Sequence, residues 1–150
     1  MYIFSLEPLL NHVKFEEENL QKELGMLERQ LFTDMAKLLD LKNKTVEIKV
    51  ELEEKQKGGL IASMNILYHN FAKRLSEEII NQKKIIADSE KKVEEKRTFL
   101  LETVKKRKIL DKLKEKGLRE YMNDLLHKEQ NFIDEIATSS FCRKKIIKNE

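Results

Sequence analysis

An apolar heptad repeat without an interrupting proline is the feature that most constrains this chain. With Leu10 taken as heptad position a, ten of the fourteen a and d positions between residues 10 and 55 are apolar. A repeat held in one register is typical of a coiled coil rather than of a helix on a globular core. Ser5 is a suitable N-cap, and Pro8, the single proline, falls in the first turn. The repeat therefore predicts a long helix over about residues 10–57.

The repeat stops at a glycine pair, Gly58 and Gly59. Adjacent glycines supply the left-handed backbone conformations that a tight turn between helices needs. Four glycines and one proline in 150 residues are too few for a sheet with many tight turns. A spacing of seven then returns, which predicts a second helix over about residues 60–141, followed by a basic tail over 142–150. Its a positions are Ala72, Ile79, Ile86, Val93 and Leu100, and its d row contains Ile61, Tyr68 and Leu75 but is weakened by Gln82, Ser89 and Lys96.

The two predicted helices carry opposite net charge. Residues 1–56 hold 8 Lys and Arg against 12 Asp and Glu, net −4, and residues 57–150 hold 22 against 15, net +7. Opposite charges favour an antiparallel hairpin within one chain over a parallel dimer, in which like charges would face each other. We therefore expect a single all-α domain over residues 1–150, a long two-helix antiparallel coiled-coil hairpin. The alternative is a parallel dimer in which the glycines form a hinge.

The second helix is longer than the first, so we expect a C-terminal helical overhang. If the turn is centred on the glycine pair, residue i lies opposite roughly residue 117 − i, and Leu10 faces about position 107. Apolar positions continue beyond that point over about 34 residues, roughly 50 Å. An isolated helix cannot bury such a stripe, so we expect it to contact a partner protein. This C-terminal stripe consists of Leu118, Met122, Leu125, Phe132 and Ile136.

A second surplus of apolar residues follows the turn. Four of them fall at heptad positions c and g, about 110° around the helix from the seam. The first helix has one apolar residue among twelve such positions, so the hairpin does not need this face. The face either packs locally against the turn or docks a partner. This turn-side stripe consists of Leu60, Met64, Leu67 and Phe71, with Leu75 at its border with the seam.

No arrangement of catalytic or metal-binding residues is recognisable. His12, His69 and His127 lie far apart, without the i, i+4 spacing of a helical metal site, and Cys142 is the single cysteine. A two-helix coiled coil has no concave interior in which carboxylates could act as acid and base. We therefore expect no enzyme activity, no metal and no cofactor. The single cysteine, the lack of a long apolar run and the lack of a signal peptide predict a cytoplasmic protein.

A basic run over residues 105–119 holds eight cations and two anions. It could neutralise phosphates, but it lacks aromatic residues for base stacking and the Asn and Arg pattern of a base-reading helix. An acidic protein surface is therefore favoured over nucleic acid as its partner. The basic residues 143–145 could add weak attraction to an anionic membrane. These features alone indicate a coiled-coil adaptor, with a self-associating structural coiled coil and a nucleic-acid-binding helix as alternatives.

Several short segments, in the same order and spread over nearly the whole chain, resemble the flagellar FliJ family. They are Phe4-Ser5-Leu6-Glu7-Pro8-Leu9-Leu10, Gly59-Leu60-Ile61-Ala62-Ser63, Tyr68-His69-Asn70-Phe71 with Leu75, Lys112-Leu113-Lys114-Glu115-Lys116, Glu129-Gln130 and Asp134-Glu135-Ile136-Ala137. The resemblance implies a non-enzymatic component of the flagellar type III protein export apparatus, required for motility and chemotaxis. It also implies an antiparallel coiled coil similar to the central stalk of rotary ATPases.

The resemblance further implies three kinds of partner. The paired termini would associate with the hexameric export ATPase, and the region carrying Phe71 and Leu75 with the cytoplasmic domain of the export gate, while export chaperones are escorted. On this basis the C-terminal stripe, together with Lys106, Lys108 and Lys112, is assigned to the ATPase, and the turn-side stripe to the gate. The protein would then lie peripherally on the cytoplasmic side of the cell membrane. The resemblance assigns no role to the basic run as a whole or to the tail.

Overall fold

Two long helices make up the computed structural model, which describes residues 1–147. Helix α1 spans Glu7–Lys57 and helix α2 spans Ala62–Ile147, with no strand in the described residues. The predicted all-α class is confirmed. Helix α1 begins at Glu7, three residues before its predicted start near residue 10. Helix α2 ends later than predicted, because it continues through residues 142–147 of the predicted tail. The last three residues of that tail lie outside the described part of the chain.

The chain forms two compact units, and each pairs a segment of α1 with a segment of α2. The turn unit comprises Glu16–Glu102, and the terminal unit joins Met1–Phe15 to the chain from Thr103 onward. The predicted single domain over residues 1–150 stays a prediction. None of the helices within residues 1–147 combines the length and the apolar character needed to cross a membrane.

The two helices run antiparallel in both units. In the turn unit, Glu23 forms an ion pair with Lys96, while Glu51, further along α1, accepts a hydrogen bond from Tyr68, which is earlier in α2. In the terminal unit, contacts join three further pairs in the same descending order, Met1 to Tyr121, Glu7 to Lys114 and Lys14 to Asp111. The predicted antiparallel pairing of the two helices is therefore confirmed.

Each unit has a narrow core along the predicted seam. In the terminal unit, Leu10, Val13 and Leu110 are buried together, and Phe4 packs against them. In the turn unit, the buried apolar residues occupy predicted a and d positions. They are Leu41, Leu75, Ile86 and Val93. Because two helices can cover only one stripe of each other, most remaining apolar side chains stay exposed.

The turn between the helices occupies residues 58–61, twice the predicted length. Gly59 has a φ of 87°, and its N–H donates to the Gln56 carbonyl at 3.3 Å, as at a helix C terminus capped by a left-handed residue. Leu60, predicted on the second helix, therefore lies in the turn. The longer turn moves the centre of the hairpin. The rule 117 − i predicted that Glu23 would lie opposite residue 94, but Glu23 pairs with Lys96.

Alanine substitutions should distinguish the two turn glycines. Gly59→Ala is expected to lower the free energy of unfolding by about 1–2 kcal/mol, because a Cβ disfavours the left-handed conformation. At Gly58 an added Cβ would meet the Lys55 carbonyl oxygen at 3.6 Å and the Glu54 carbonyl oxygen at 4.0 Å, both ordinary contacts. Gly58→Ala should therefore be neutral, or stabilising by up to about 1 kcal/mol. Urea unfolding followed by circular dichroism measures both, and equal losses would contradict the different roles assigned to the two glycines.

Candidate functional site

The non-helical residues before α1 lie along α2 and cover part of the predicted overhang. The Met1 amino group donates to the Tyr121 hydroxyl at 2.8 Å, and the rings of Tyr2 and Tyr121 lie 5.8 Å apart between centroids. Extended residues span about 3.3 Å each against 1.5 Å in a helix, so a few of them reach far along α2. The expectation that the first helix leaves α2 unpaired beyond about residue 107 is wrong, because Glu7 of α1 pairs with Lys114, and the segment before α1 extends the contacts to Tyr121.

Gly117 makes room for this N-terminal segment. The Tyr2 hydroxyl lies against Gly117 and within 3.5 Å of the Lys114 carbonyl. A Cβ at position 117 would collide with that hydroxyl and lie 3.1 Å from Cζ of the ring. Glycine inside a helix costs about 1 kcal/mol relative to alanine. We infer that position 117 needs glycine because any larger side chain would collide with Tyr2.

The C-terminal stripe lies on the part of α2 where the N-terminal segment ends. All five of its predicted members are exposed, and four of them follow Tyr121, the residue that Met1 and Tyr2 contact. Two exposed neighbours, Leu126 and Ile133, widen the stripe and were not predicted. Each directly follows a member of the stripe, Leu125 or Phe132, so a search for adjacent apolar residues would have found them. Residues 122–147 form about 39 Å of helix at 1.5 Å per residue.

The basic run contains both engaged and exposed cations. Lys114 pairs with Glu7 at 2.6 Å, and Arg107 pairs with Asp111 at 2.9 Å. Lys114 therefore joins α2 to α1, whereas Arg107 pairs within α2. Three other cations, the ones predicted to guide a partner, have exposed side chains. They are Lys106, Lys108 and Lys112.

The turn-side stripe borders a shallow groove in the turn unit. Leu67 and Phe71 line this groove of about 430 Å³, together with Ile48, Glu51 and Tyr68. The groove is mostly apolar and lies where the turn unit begins its second helix. It is therefore a surface on which an apolar side chain of a partner could be seated.

The five predicted members of the turn-side stripe differ in exposure. Met64, Leu67 and Phe71 are exposed on α2, and Leu60 is half-buried in the turn. Leu75 is only 4% exposed, because it lies in the seam. A partner can therefore contact Met64, Leu67 and Phe71 directly, whereas a change at Leu75 acts on the packing of the hairpin.

A polar cluster forms one wall of the groove. The Lys55 ammonium pairs with Glu51 at 2.7 Å, lies 2.5 Å from the Tyr68 hydroxyl and 5.2 Å from the centre of its ring. The hydrogen bond from Lys55 lowers the pKa of Glu51, and the same bond raises the pKa of Lys55. Both shifts favour the charged forms, so the cluster keeps its charges over a wide pH range.

The described side chains form no cluster that could hold a metal ion. No group of three or more His, Cys, Asp and Glu side chains converges on one point among the residues described. Cys142 is exposed and makes no disulfide. The two apolar surfaces and the exposed cations have the composition of protein-binding surfaces.

Comparison with known proteins places the chain in one family. The sequence model of the family described as flagellar FliJ protein matches residues 2–145. Neither the comparison with curated proteins nor that with solved structures gave a match.

Proposed function

The chain belongs to the flagellar FliJ family, and we propose on that premise that it links the export ATPase to the export gate. The family is a structural component of the flagellar protein export apparatus. In the proposed role, the C-terminal stripe is held by the hexameric ATPase, as a central stalk is held by its ring. The turn-side stripe docks on the cytoplasmic domain of the membrane-embedded gate, and export chaperones are escorted. The protein then lies peripherally on the cytoplasmic side of the membrane.

The observation that carries this proposal is the uncovered apolar face of α2 beyond Tyr121. A helix of this length cannot bury that face by itself, and the side chains of the stripe are exposed from Met122 to Ile136. A ring lumen offers apolar contacts from several subunits at once. The exposed Lys106, Lys108 and Lys112 would speed the encounter with an acidic rim.

The gate surface is supported by the groove at the turn. Phe71 and Leu67 present apolar side chains beside it, and the charged Lys55–Glu51 pair marks its edge. Apolar anchors bordered by charges are the usual composition of a protein-binding patch. The two apolar surfaces lie in different units, so each can be tested without changing the other.

A binding experiment with two arms tests the proposed link. Leu67→Ala with Phe71→Ala should weaken binding to the gate domain about tenfold or more and leave ATPase binding unchanged. Leu125→Asp with Phe132→Asp should do the reverse, because two carboxylates would have to be desolvated in the ring. Titration of the labelled chain with each purified partner measures both affinities.

Matched controls keep the result specific. Ile66→Ala removes a side chain that is 61% exposed next to Leu67, at a heptad position outside the stripe. His127→Asp with Asn131→Asp adds the same charges to the opposite face of α2. Two results would contradict the assignment of two separate surfaces. One is a folded variant that loses affinity for both the gate domain and the ATPase, and the other is a pair of stripe variants that keep both affinities.

A further inference from the structure

Helix α1 carries a second heptad row of apolar side chains, separate from the hairpin seam. The row occupies heptad positions b and f, and each of its members is exposed. Phe32 is 75% exposed and Leu39 is 60% exposed, although both are large apolar residues. We call this row the outer seam. It consists of Phe32, Ala36, Leu39, Asn43, Val46 and Val50.

The outer seam lies on the far side of α1 from α2. At 100° per residue, positions b and f centre about 150° around the helix from positions a and d. Asp34 and Leu41, at d positions, are the α1 residues buried in the turn unit, so the seam side of α1 is the side covered by α2. The outer seam therefore faces away from the hairpin contact. Its spacing of alternating four and three residues is that of a coiled-coil interface.

Charged residues beside the outer seam complement each other between two parallel copies. When Asn43 is counted as an a position of this second repeat, Lys42 and Lys49 take g positions, and Glu47 and Glu54 take e positions. In a parallel coiled coil, a g residue meets the e residue five positions later on the other helix. Lys42 would then meet Glu47 of the second copy, and Lys49 would meet its Glu54. All four side chains are exposed.

The opposite orientation is disfavoured by the same charges. In an antiparallel pair, g positions face g positions, and Lys42 would lie beside Lys42 of the second copy. The outer seam also contains one polar residue, Asn43, at a core position. A single asparagine at such a position fixes register and a two-stranded parallel pairing, because the two amides hydrogen-bond to each other.

From these features we propose that two copies of this chain associate in parallel and in register through the outer seam of α1. Each hairpin stays intact within its own chain, and the second copy covers the face that α2 leaves open. The contact is short, about 27 Å from Phe32 to Val50, so the association is weak and depends on concentration. The helices are already formed in the hairpin, so dimerisation orders side chains and not backbone. The proposal is independent of any role in export.

Sedimentation equilibrium of the full chain tests the association. The mass should rise from 17.8 kDa toward twice that value as the concentration increases. Leu39→Glu should weaken the association about tenfold or more, because it places two like charges in the new core. Met26→Glu is the matched control, since Met26 is also 60% exposed on α1 but outside the outer seam, and it should associate like the unchanged chain. A monomer at every concentration, or a dimer that Leu39→Glu does not weaken, would overturn the proposal.

Disulfide trapping tests orientation and register. Ala36→Cys, in a chain that keeps Asn43 and also carries Cys142→Ser, should form an intermolecular disulfide when treated with oxidised glutathione, because equivalent a positions face each other in a parallel pair. Adding Val46→Lys to this cysteine variant should suppress the intermolecular disulfide. The control Lys37→Cys, on another face of α1, should remain reduced. Equal trapping at both positions would show random collision and overturn the proposed register.

Discussion

Ending the chain after Tyr121 is expected to abolish stimulation of ATP hydrolysis by the export ATPase while leaving both units folded. The truncation keeps the hydrogen bond from Met1 to Tyr121 and the seat of Tyr2 at Gly117. It removes the members of the C-terminal stripe from Met122 onward, whose side chains are exposed. Circular dichroism checks the fold, and phosphate release from the purified ATPase measures the stimulation.

The result depends on the assignment of the two surfaces. The truncated chain should still bind the gate domain, since Leu67 and Phe71 lie in the other unit. Normal stimulation by a folded truncated chain would show that the stripe has another partner.

Charge reversal at Lys106, Lys108 and Lys112 tests the role of these cations separately. Electrostatic steering predicts an association rate about tenfold lower and less dependent on salt, with little change in the dissociation rate.

The architecture was predictable because its main signals are local and periodic. A heptad row shows which face of a helix is buried before its partner is known, and Leu10, Val13 and Leu41 are buried as that row predicts. The glycine pair marked the turn for a similarly local reason, since Gly59 adopts a positive φ. The length of the turn could not be predicted from the sequence. The two additional turn residues, 60 and 61, were enough to shift the register between the two helices.

The contacts of the N-terminal segment were not predictable. Met1 and Tyr2 belong to no periodic element, so nothing in their spacing indicates that they lie against Tyr121. Gly117 was a weak signal, because glycine inside a helix is unfavourable relative to alanine, but Gly25 also lies inside a helix and no atom lies within 4 Å of where its Cβ would be. The reason for Gly117, the Tyr2 ring, becomes visible only when the two ends of the chain are brought together. The contact of Met1 and Tyr2 with Tyr121 also determines which part of the C-terminal stripe follows the N-terminal segment.

The polar residues in the seam show a related limit. Asp34, Gln82 and Ser89 interrupt the heptad rows of the two helices, and singly each weakens the coiled-coil pattern. In the structure Asp34 connects the other two through hydrogen bonds, and we call this cluster the polar layer. The Gln82 amide donates to the Asp34 backbone carbonyl at 2.9 Å, and the Ser89 hydroxyl donates to the Asp34 carboxylate at 3.2 Å. Gln30 donates to the other carboxylate oxygen at 3.1 Å. Complementarity across helices cannot be recognised until the register is known.

Substitutions in this layer should change stability in opposite directions. Gln82→Ala is expected to lower the free energy of unfolding by about 2 kcal/mol, because a side chain only 3% exposed is replaced by a cavity. Asp34→Leu with Gln82→Leu should instead raise it by about 1–2 kcal/mol, since apolar groups replace a buried carboxylate and amide of similar size. Ser89 then bonds to its own helix. Urea unfolding of both variants against the unchanged chain measures the difference.

A crosslink between native residues shows whether the register survives these changes. Glu23 and Lys96 lie 2.6 Å apart across the helices, so a carbodiimide should join them directly within one chain. We expect the same crosslink in the double leucine variant, because the turn at Gly59 fixes which residues meet. If the crosslink disappears while stability rises, the polar layer, and not the turn, sets the register. If the double leucine variant is less stable than the unchanged chain, the hydrogen bonds to Asp34 contribute more than the burial of two leucines, and the layer is a net source of stability.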